Sequence, residues 1–325
     1  MNRYLKDTGI YKKNDRYYFF KNDNKVSDLS ILDRLNKYRV PPAWKSVWYA
    51  SDRRSHIQVH GIDSSGKKQY ILSDKWINNQ KTEKFNRINH FIKDLNSFRS
   101  KIKLNNQEYF HSKTFLIKLL FNLLLDLHLR IGNEKYASSN KTYGLTTLRQ
   151  KHLIVKNGEL ILSFVGKSKI HHEIEIPSDY SHFIKKYIIP NKPNYPLFYY
   201  YCESNNKVMK NINSEELNNY LKEHMGKDYT CKDFRTYSAN ILFIKDFLKK
   251  SKNTQSNTSI KKLILKCIDN SAKQLGHSRS ICKKSYISDH LLDYCAESFS
   301  EASGSSFSVL VSKIVSPVGP TLPSS

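Results

Sequence analysis

The chain lacks the sequence devices by which many proteins hold a nucleotide, a metal or a membrane. It has no Gly-rich loop of the phosphate-cradling kind and no acidic cluster of the sort that binds magnesium. Its five cysteines (Cys202, Cys231, Cys267, Cys282 and Cys295) form no Cys-x-x-Cys pair and leave one over. That excludes a zinc ribbon and a disulfide framework and points to a reducing compartment. The start, Met1-Asn2-Arg3-Tyr4-Leu5-Lys6-Asp7, carries no apolar run of a signal peptide, and no stretch is long and apolar enough to span a bilayer. A soluble, intracellular protein is expected. His171-His172-Glu173 suggests a metal site, but it reads as strand, where neighbours point to opposite faces, and no helix-spaced His pair accompanies it. Neither metal nor cofactor is expected, and no internal repeat is present.

What the chain has in excess is positive charge. Lys and Arg number 54 against 29 Asp and Glu, a net charge of +25 over 325 residues. The lysines are spread along the chain instead of forming one tail. A polyanionic partner, double-stranded DNA in the simplest case, fits this better than a membrane surface. The length allows a substantial core and suggests two domains.

Residues 8–26 alternate apolar runs with turn residues and read as a hairpin; Ser27 and Asp28 can cap a short helix with Leu29, Leu32 and Leu35. Strands follow at Val47-Trp48-Tyr49, residues 56–60 and 69–72, so a small antiparallel β-rich domain is expected over residues 1–75. Trp44, Trp48 and Trp76 read as packing anchors. From Asp74 the apolar period changes to three or four residues, as on an amphipathic helix. Residues 114–131 form the most apolar helix, on which Lys118, Asn122, Asp126 and Arg130 make one polar stripe before Gly132. Residues 152–176 read as a three-stranded antiparallel sheet with Lys167 at a hairpin tip. Ser214, Asp233 and Ser259 are expected to cap three helices, Arg235 standing in the first turn of the second. Gly276 then breaks the chain, with Tyr286 inside the next helix. The expected fold is α+β: the β-rich domain, a larger mainly α-helical domain over 76–302, and a poorly ordered Ser/Pro-rich tail over 303–325.

These elements separate five residues that together suit one chemistry. Breaking a phosphodiester without metal or water needs a nucleophile, charge stabilisation on two oxygens and a proton for the leaving alkoxide. Tyr286 can attack, Arg130 and Arg235 can donate to non-bridging oxygens, His277 can add a hydrogen bond, and Lys167 can act as general acid. Lys135, Tyr136 and Lys232 flank these positions and read as phosphate contacts.

The residues are also specific as motifs. Arg130-Ile131-Gly132-Asn133-Glu134-Lys135-Tyr136, then Tyr143-Gly144-Leu145-Thr146-Thr147-Leu148, Val165-Gly166-Lys167, Lys232-Asp233-Phe234-Arg235-Thr236-Tyr237 and Gly276-His277 through Tyr286 follow in order. They resemble successive motifs of the small type IB DNA topoisomerases of poxviruses, giant viruses and bacteria. The run from Val40-Pro41-Pro42-Ala43-Trp44 to Gly66-Lys67-Lys68-Gln69-Tyr70 resembles the DNA-clamping β domain of the same enzymes, and the likeness covers roughly residues 8–298. The poxvirus enzymes have Lys where Asn133 stands and Asp where Ser168 stands, so the chain resembles the bacterial and giant-virus branch more closely.

The resemblance implies Arg130, Lys167, Arg235 and His277 as the catalytic set and a 3′-phosphotyrosyl link at Tyr286. It also implies Gln69 and Tyr70 as DNA contacts, relaxation of supercoils of both signs by strand rotation, and religation without ATP. A monomer is expected, working in the virion and the cytoplasmic replication factory if the source is viral. A tyrosine recombinase shares the chemistry but usually has an all-helical N-terminal domain. A non-catalytic DNA-packaging protein fits the charge but leaves the ordered motifs unexplained.

Overall fold

The computed structural model describes residues 9–202, 205–226, 229–251 and 257–297. The expected tail, 303–325, and most of the polar loop expected at 251–259 lie outside the described residues. The chain divides into two compact units, residues 1–84 and 85–325.

In the first unit, strands β1 (Gly9–Lys13), β2 (Arg16–Phe19), β3 (Lys45–Ala50), β4 (Ile57–Ile62) and β5 (Lys68–Leu72) form one antiparallel sheet in the order β2-β1-β3-β4-β5. Alternate residues point to one face, where Ile10, Tyr17, Tyr49 and Val59 meet Val26 and Leu35. Leu35 comes from helix α1 (Leu29–Asn36), whose N-cap is Asp28. Trp48 lies against Gly9, where a Cβ would meet the indole at 1.7 Å, and stacks on His60. Buried Gln58 donates to the carbonyls of Asp52, Arg53 and Ser55 and accepts from Arg34, which holds the turn between β3 and β4 in one shape.

Helix α2 (Asp74–Lys101) begins in the first unit and continues into the second, so the division at 84 falls inside it. In the second unit, helix α3 (Lys113–Asp126) buries ten of its fourteen residues. The short helix α4 (Glu134–Asn140) precedes the antiparallel sheet of β6 (Leu153–Lys156), β7 (Glu159–Val165) and β8 (His171–Glu175). Helix α5 (Ser178–Lys185) and the hairpin of β9 (Tyr200–Cys202) with β10 (Asn205–Lys210) follow. The rest is helical: α6 (Ser214–Met225), α7 (Cys231–Ser251), α8 (Asn257–Gln274), α9 (Arg279–Ser285) and α10 (Asp289–Glu297). One large apolar cluster joins α2, α3, the β6–β8 sheet and the N-terminal half of α7, and a second joins the rest of α7 to α8, α9 and α10. Helix α7 therefore runs through both clusters.

Several expected boundaries move. Helix α3 stops at Asp126, so Arg130 is not on it: Leu127 is the C-cap and His128 takes a φ of +52°. The polar stripe breaks up as well. Lys118 pairs with Glu108, Asn122 donates to the Ile102 carbonyl, and Asp126 accepts from the Tyr180 hydroxyl. Asn213, not Ser214, caps α6, through its side chain and a capping box with Glu216. Helix α7 starts two residues before Asp233, whose carboxylate accepts from the Thr230 amide and pairs with Arg87 at 2.8 Å. Arg235 is thus in the second turn, away from the free amides of the helix start. Ser259 lies inside α8, and Tyr286 is the C-cap of α9, not an interior residue.

Candidate active site

The corner before Tyr286 is built by glycine. Gly276, at φ +60°, ends α8 in a Schellman arrangement: its amide donates to the Lys273 carbonyl, and the His277 amide donates to the Ala272 carbonyl. His277 therefore leaves the helix in a fixed direction. Ser278 caps α9 through the Ile281 amide, and about two turns later the chain reaches Tyr286. The His277 and Tyr286 rings stack with centroids 4.6 Å apart and planes 24° from parallel. Tyr286 is 9% exposed. Its backbone is held by buried Asn240 of α7, whose amide nitrogen donates to the Tyr286 carbonyl while its oxygen accepts from the Ser288 amide.

Two arginines converge on His277. Arg130 Nη2 lies 3.1 Å from its Nδ1 and 3.4 Å from its Nε2, and Arg235 Nε donates to Nε2 at 3.3 Å. Arg235 is only 7% exposed. One of its terminal nitrogens donates to the His128 carbonyl, and the other, Nη2, is buried with no hydrogen-bond partner among the described residues. Among the described residues neither arginine has a carboxylate partner. Burial first, then the charge of Arg130, pulls Arg235 down to about 9. Burial together with Arg235, Arg130 and Lys167 pushes His277 down to about 3, so at neutral pH its ring is uncharged between two cations. A buried, unpaired guanidinium beside a second one is the electrostatic signature of a seat for an anion.

The segment carrying Arg130 is fixed by its backbone. The Leu145 amide donates to the Arg130 carbonyl at 2.8 Å, and the Thr146 amide donates to the Ile131 carbonyl at 2.7 Å. These chains approach so closely that a Cβ on Gly144 would stand 2.6 Å from the Gly132 nitrogen and 2.7 Å from the Arg130 carbonyl oxygen. Backbone atoms cannot step aside as a side-chain tip can. Gly144→Ala should therefore destabilise the chain by about 1–3 kcal/mol, read as a lowered midpoint of thermal unfolding. His128 supplies the other anchor. Its positive φ turns its carbonyl to Arg235, and its ring nitrogen Nδ1 lies 3.0 Å from the Ser238 hydroxyl on the same helix.

Lys167 is exposed in a tight turn between β7 and β8 in which Ser168 and Lys169 both take positive φ. The turn is closed by the Gly166 amide donating to the Ile170 carbonyl, and Lys169 donates to the Asn140 carbonyl at the end of α4. The charge of Lys167 reaches His277, so the turn lies near the arginine pair. Lys135 and Tyr136 are exposed on α4, behind the Asn133 N-cap, and Lys232 is exposed at the start of α7. In the first unit, Tyr70 is 48% exposed on β5, and the Gln69 amide nitrogen donates to Asp63 at 2.7 Å. On β8, His171 is exposed and His172 stacks on Phe164. No group of three or more His, Cys, Asp or Glu among the described residues is placed to hold a metal ion.

Asn240 and His128 were not singled out by sequence reasoning, and His172 was read only as part of an unsupported metal motif. Asn240 carried a usable signal, a polar residue on the apolar face of α7; His128 carried none, because its partners Arg235 and Ser238 are remote in the chain, and the contact of His172 with Gly276 was hidden for the same reason.

The low His277 value gives a pH dependence. Its folded pKa is depressed below the unfolded value, so its contribution to stability is full above about pH 6.5 and is lost as pH falls towards 3. Thermal unfolding should move to lower temperature between pH 7 and pH 4, and His277→Asn, which cannot titrate, should move less.

Residues 73–303 match the catalytic core of eukaryotic DNA topoisomerase I, and residues 16–63 match the N-terminal domain of bacterial DNA topoisomerase IB. The chain is 38% identical over 295 residues to the DNA topoisomerase 1B of Acanthamoeba polyphaga mimivirus, covering 88% of this chain and 87% of that protein. It is 29% identical over 245 residues to the DNA topoisomerase I of monkeypox virus and to the DNA topoisomerase 1B of vaccinia virus (strain Copenhagen), covering 72% of this chain and 70% of each. With both parts of the architecture matched and a viral relative aligned along most of its length, the chain belongs to the type IB DNA topoisomerase family.

Proposed function

We propose that the protein nicks one strand of duplex DNA through Tyr286, relaxes supercoils of both signs by rotation about the intact strand, and reseals the nick without ATP or metal. The reading rests above all on one observation: Arg130 and Arg235 converge, with no carboxylate partner among the described residues, on the imidazole that stacks against Tyr286. A phosphodiester supplies the missing anion. In the forward step the Tyr286 oxygen attacks phosphorus, giving its proton to solvent. A P–O bond to tyrosine forms, the bond to the 5′ oxygen breaks, and that oxygen takes a proton from Lys167. Arg130 and Arg235 donate to the non-bridging oxygens, where charge grows, and neutral His277 donates one hydrogen bond without adding to the local positive charge. Because the tyrosyl ester keeps the bond energy, the reverse attack by the 5′ hydroxyl restores the strand without a nucleotide.

Gln69 and Tyr70 on the first unit, and Lys135, Tyr136 and Lys232 on the second, are assigned as DNA contacts; the three on the second unit flank the catalytic positions and serve phosphates. Residues 1–75 are assigned as the clamping domain and 76–302 as the catalytic domain. The enzyme acts as a monomer inside the cell, and in the virion and cytoplasmic replication factory if its source is viral. The test is incubation with supercoiled plasmid in EDTA without ATP. Complete relaxation of both positively and negatively supercoiled plasmid is expected, and an inert wild-type protein would overturn the reading. Exchange of strands between two cognate sites would mark a recombinase instead.

A further inference from the structure

The turn that carries Lys167 and the corner that carries His277 are far apart along the chain, yet both press on one side chain. A Cβ built on Gly166 would stand 2.7 Å from Cδ2 and Nε2 of His172; one built on Gly276 would stand 2.8 Å from its Cε1 and 3.2 Å from its Nε2. Real Cβ atoms do not approach so closely, so the ring of His172 occupies the space that both glycines leave open. A third surface is closed by Phe164, whose ring stacks on His172 at 5.1 Å and 20°. Gly166 immediately precedes Lys167, and Gly276 immediately precedes His277. Gly276 has a backbone reason to be glycine, its φ of +60°, whereas Gly166, at φ −92°, has none. What Gly166 requires is room, and the room is filled by His172.

We propose that His172 is a positioning residue: its ring is the spacer that sets Lys167 relative to His277 and Tyr286. The inference rests on the assignment of Lys167 as general acid and goes beyond it by naming what holds that lysine in reach. A flat ring suits the task because it can be gripped on both edges, and an uncharged one because Arg130 and Arg235 are near. Burial and those two arginines hold His172 below the usual histidine range.

The contact predicts a particular coupling. Gly166→Ala leaves the backbone unstrained and should harm the enzyme only through His172, so its effect should vanish once His172 is cut back to Ala. In single-turnover cleavage of a duplex oligonucleotide, His172→Ala is expected to lose roughly 10–100-fold, as a misplaced general acid would. Gly166→Ala should lose a similar amount, and the double variant should lose no more than His172→Ala alone. Multiplicative losses in the double variant would overturn the proposal.

A second substrate separates this idea from the reading beneath it. If the leaving 5′ oxygen is replaced by sulfur, the thiolate departs without a proton, and loss of a general acid no longer matters. Lys167→Ala should then regain most of its rate, which tests the assignment of Lys167 by itself. Where that holds, His172→Ala should regain rate in parallel. An equal loss on both substrates would mean that His172 serves only the fold, against the proposal. His172→Phe keeps a flat ring and should restore cleavage to within about threefold of wild type; a loss as large as that of His172→Ala would assign the effect to a ring nitrogen and overturn the spacer.

Discussion

Tyr286→Phe is expected to abolish plasmid relaxation while leaving the fold and the affinity for DNA unchanged. The ring contributes packing that Phe retains: it stacks on His277, sits in the second apolar cluster, and has its backbone carbonyl held by Asn240. What Phe removes is the oxygen that would bond to phosphorus, and loss of a covalent nucleophile typically costs at least ~10⁴-fold. Three measurements check this. Wild type, quenched with detergent during turnover, should yield protein covalently attached to the 3′ end of the nicked strand, and Tyr286→Phe should yield none. Filter binding at fixed salt should agree within about twofold between the two proteins, since phosphate contacts dominate affinity. Their unfolding midpoints should match. A covalent adduct retained in the Phe variant would place the nucleophile elsewhere and undo the assignment of the whole corner.

The parts of this site that were legible in the sequence are those fixed by nearby residues. The corner at Gly276 could be read because one glycine ends the helix, one serine caps the next, and both act within a few positions. The β6–β8 sheet could be read because its two turns are short and its strands alternate. Arg130 was placed on a helix because polar residues at 118, 122, 126 and 130 keep a helical spacing beyond the point where the helix ends. Nothing local marks that end, since the residue that takes the left-handed conformation is His128 and not glycine. The reason is tertiary: His128 is held by Arg235 and Ser238, more than a hundred residues away. Arg235 was shifted by a subtler cause. Asp233 resembles a cap, and its carboxylate does accept from the Thr230 amide, but from inside the first turn. The setting of Gln69 is local as well, because Asp63 with Ser65 and Gly66 forms a turn whose carboxylate reaches the glutamine amide. The closeness of Gly144 to Gly132, and of His172 to two separate glycines, is invisible to any local pattern.

Arg235→Met should stabilise the protein and disable it at once. In the free enzyme this guanidinium is almost fully buried and, among the described residues, has one nitrogen without a hydrogen-bond partner and lies near a second arginine with no carboxylate between them. Replacing an uncompensated buried charge by an apolar side chain of similar length is commonly neutral or favourable by about 1–4 kcal/mol. The loss of one donor to the His128 carbonyl offsets part of that gain, at about 1–3 kcal/mol for an unsatisfied buried acceptor. The net expectation is a rise in unfolding midpoint of about 1–2 °C, the shift that roughly 1 kcal/mol gives in a chain of this length. Single-turnover cleavage should fall by at least ~10²–10³-fold, the usual consequence of removing one preorganised donor from a developing negative charge. The same substitution withdraws one of the charges that depress His277, so its pKa should rise and the acid-side loss of stability should begin closer to neutrality. Calorimetry, cleavage kinetics and a histidine NMR titration read the three effects separately. A variant that melts several degrees lower would show that Arg235 supports the fold, and one that cleaves at the wild-type rate would show that the phosphate sits elsewhere. The expected combination, a more stable protein with a slow reaction, would mean that the free enzyme stores electrostatic strain in its arginine pair and releases it on the phosphate that Tyr286 attacks.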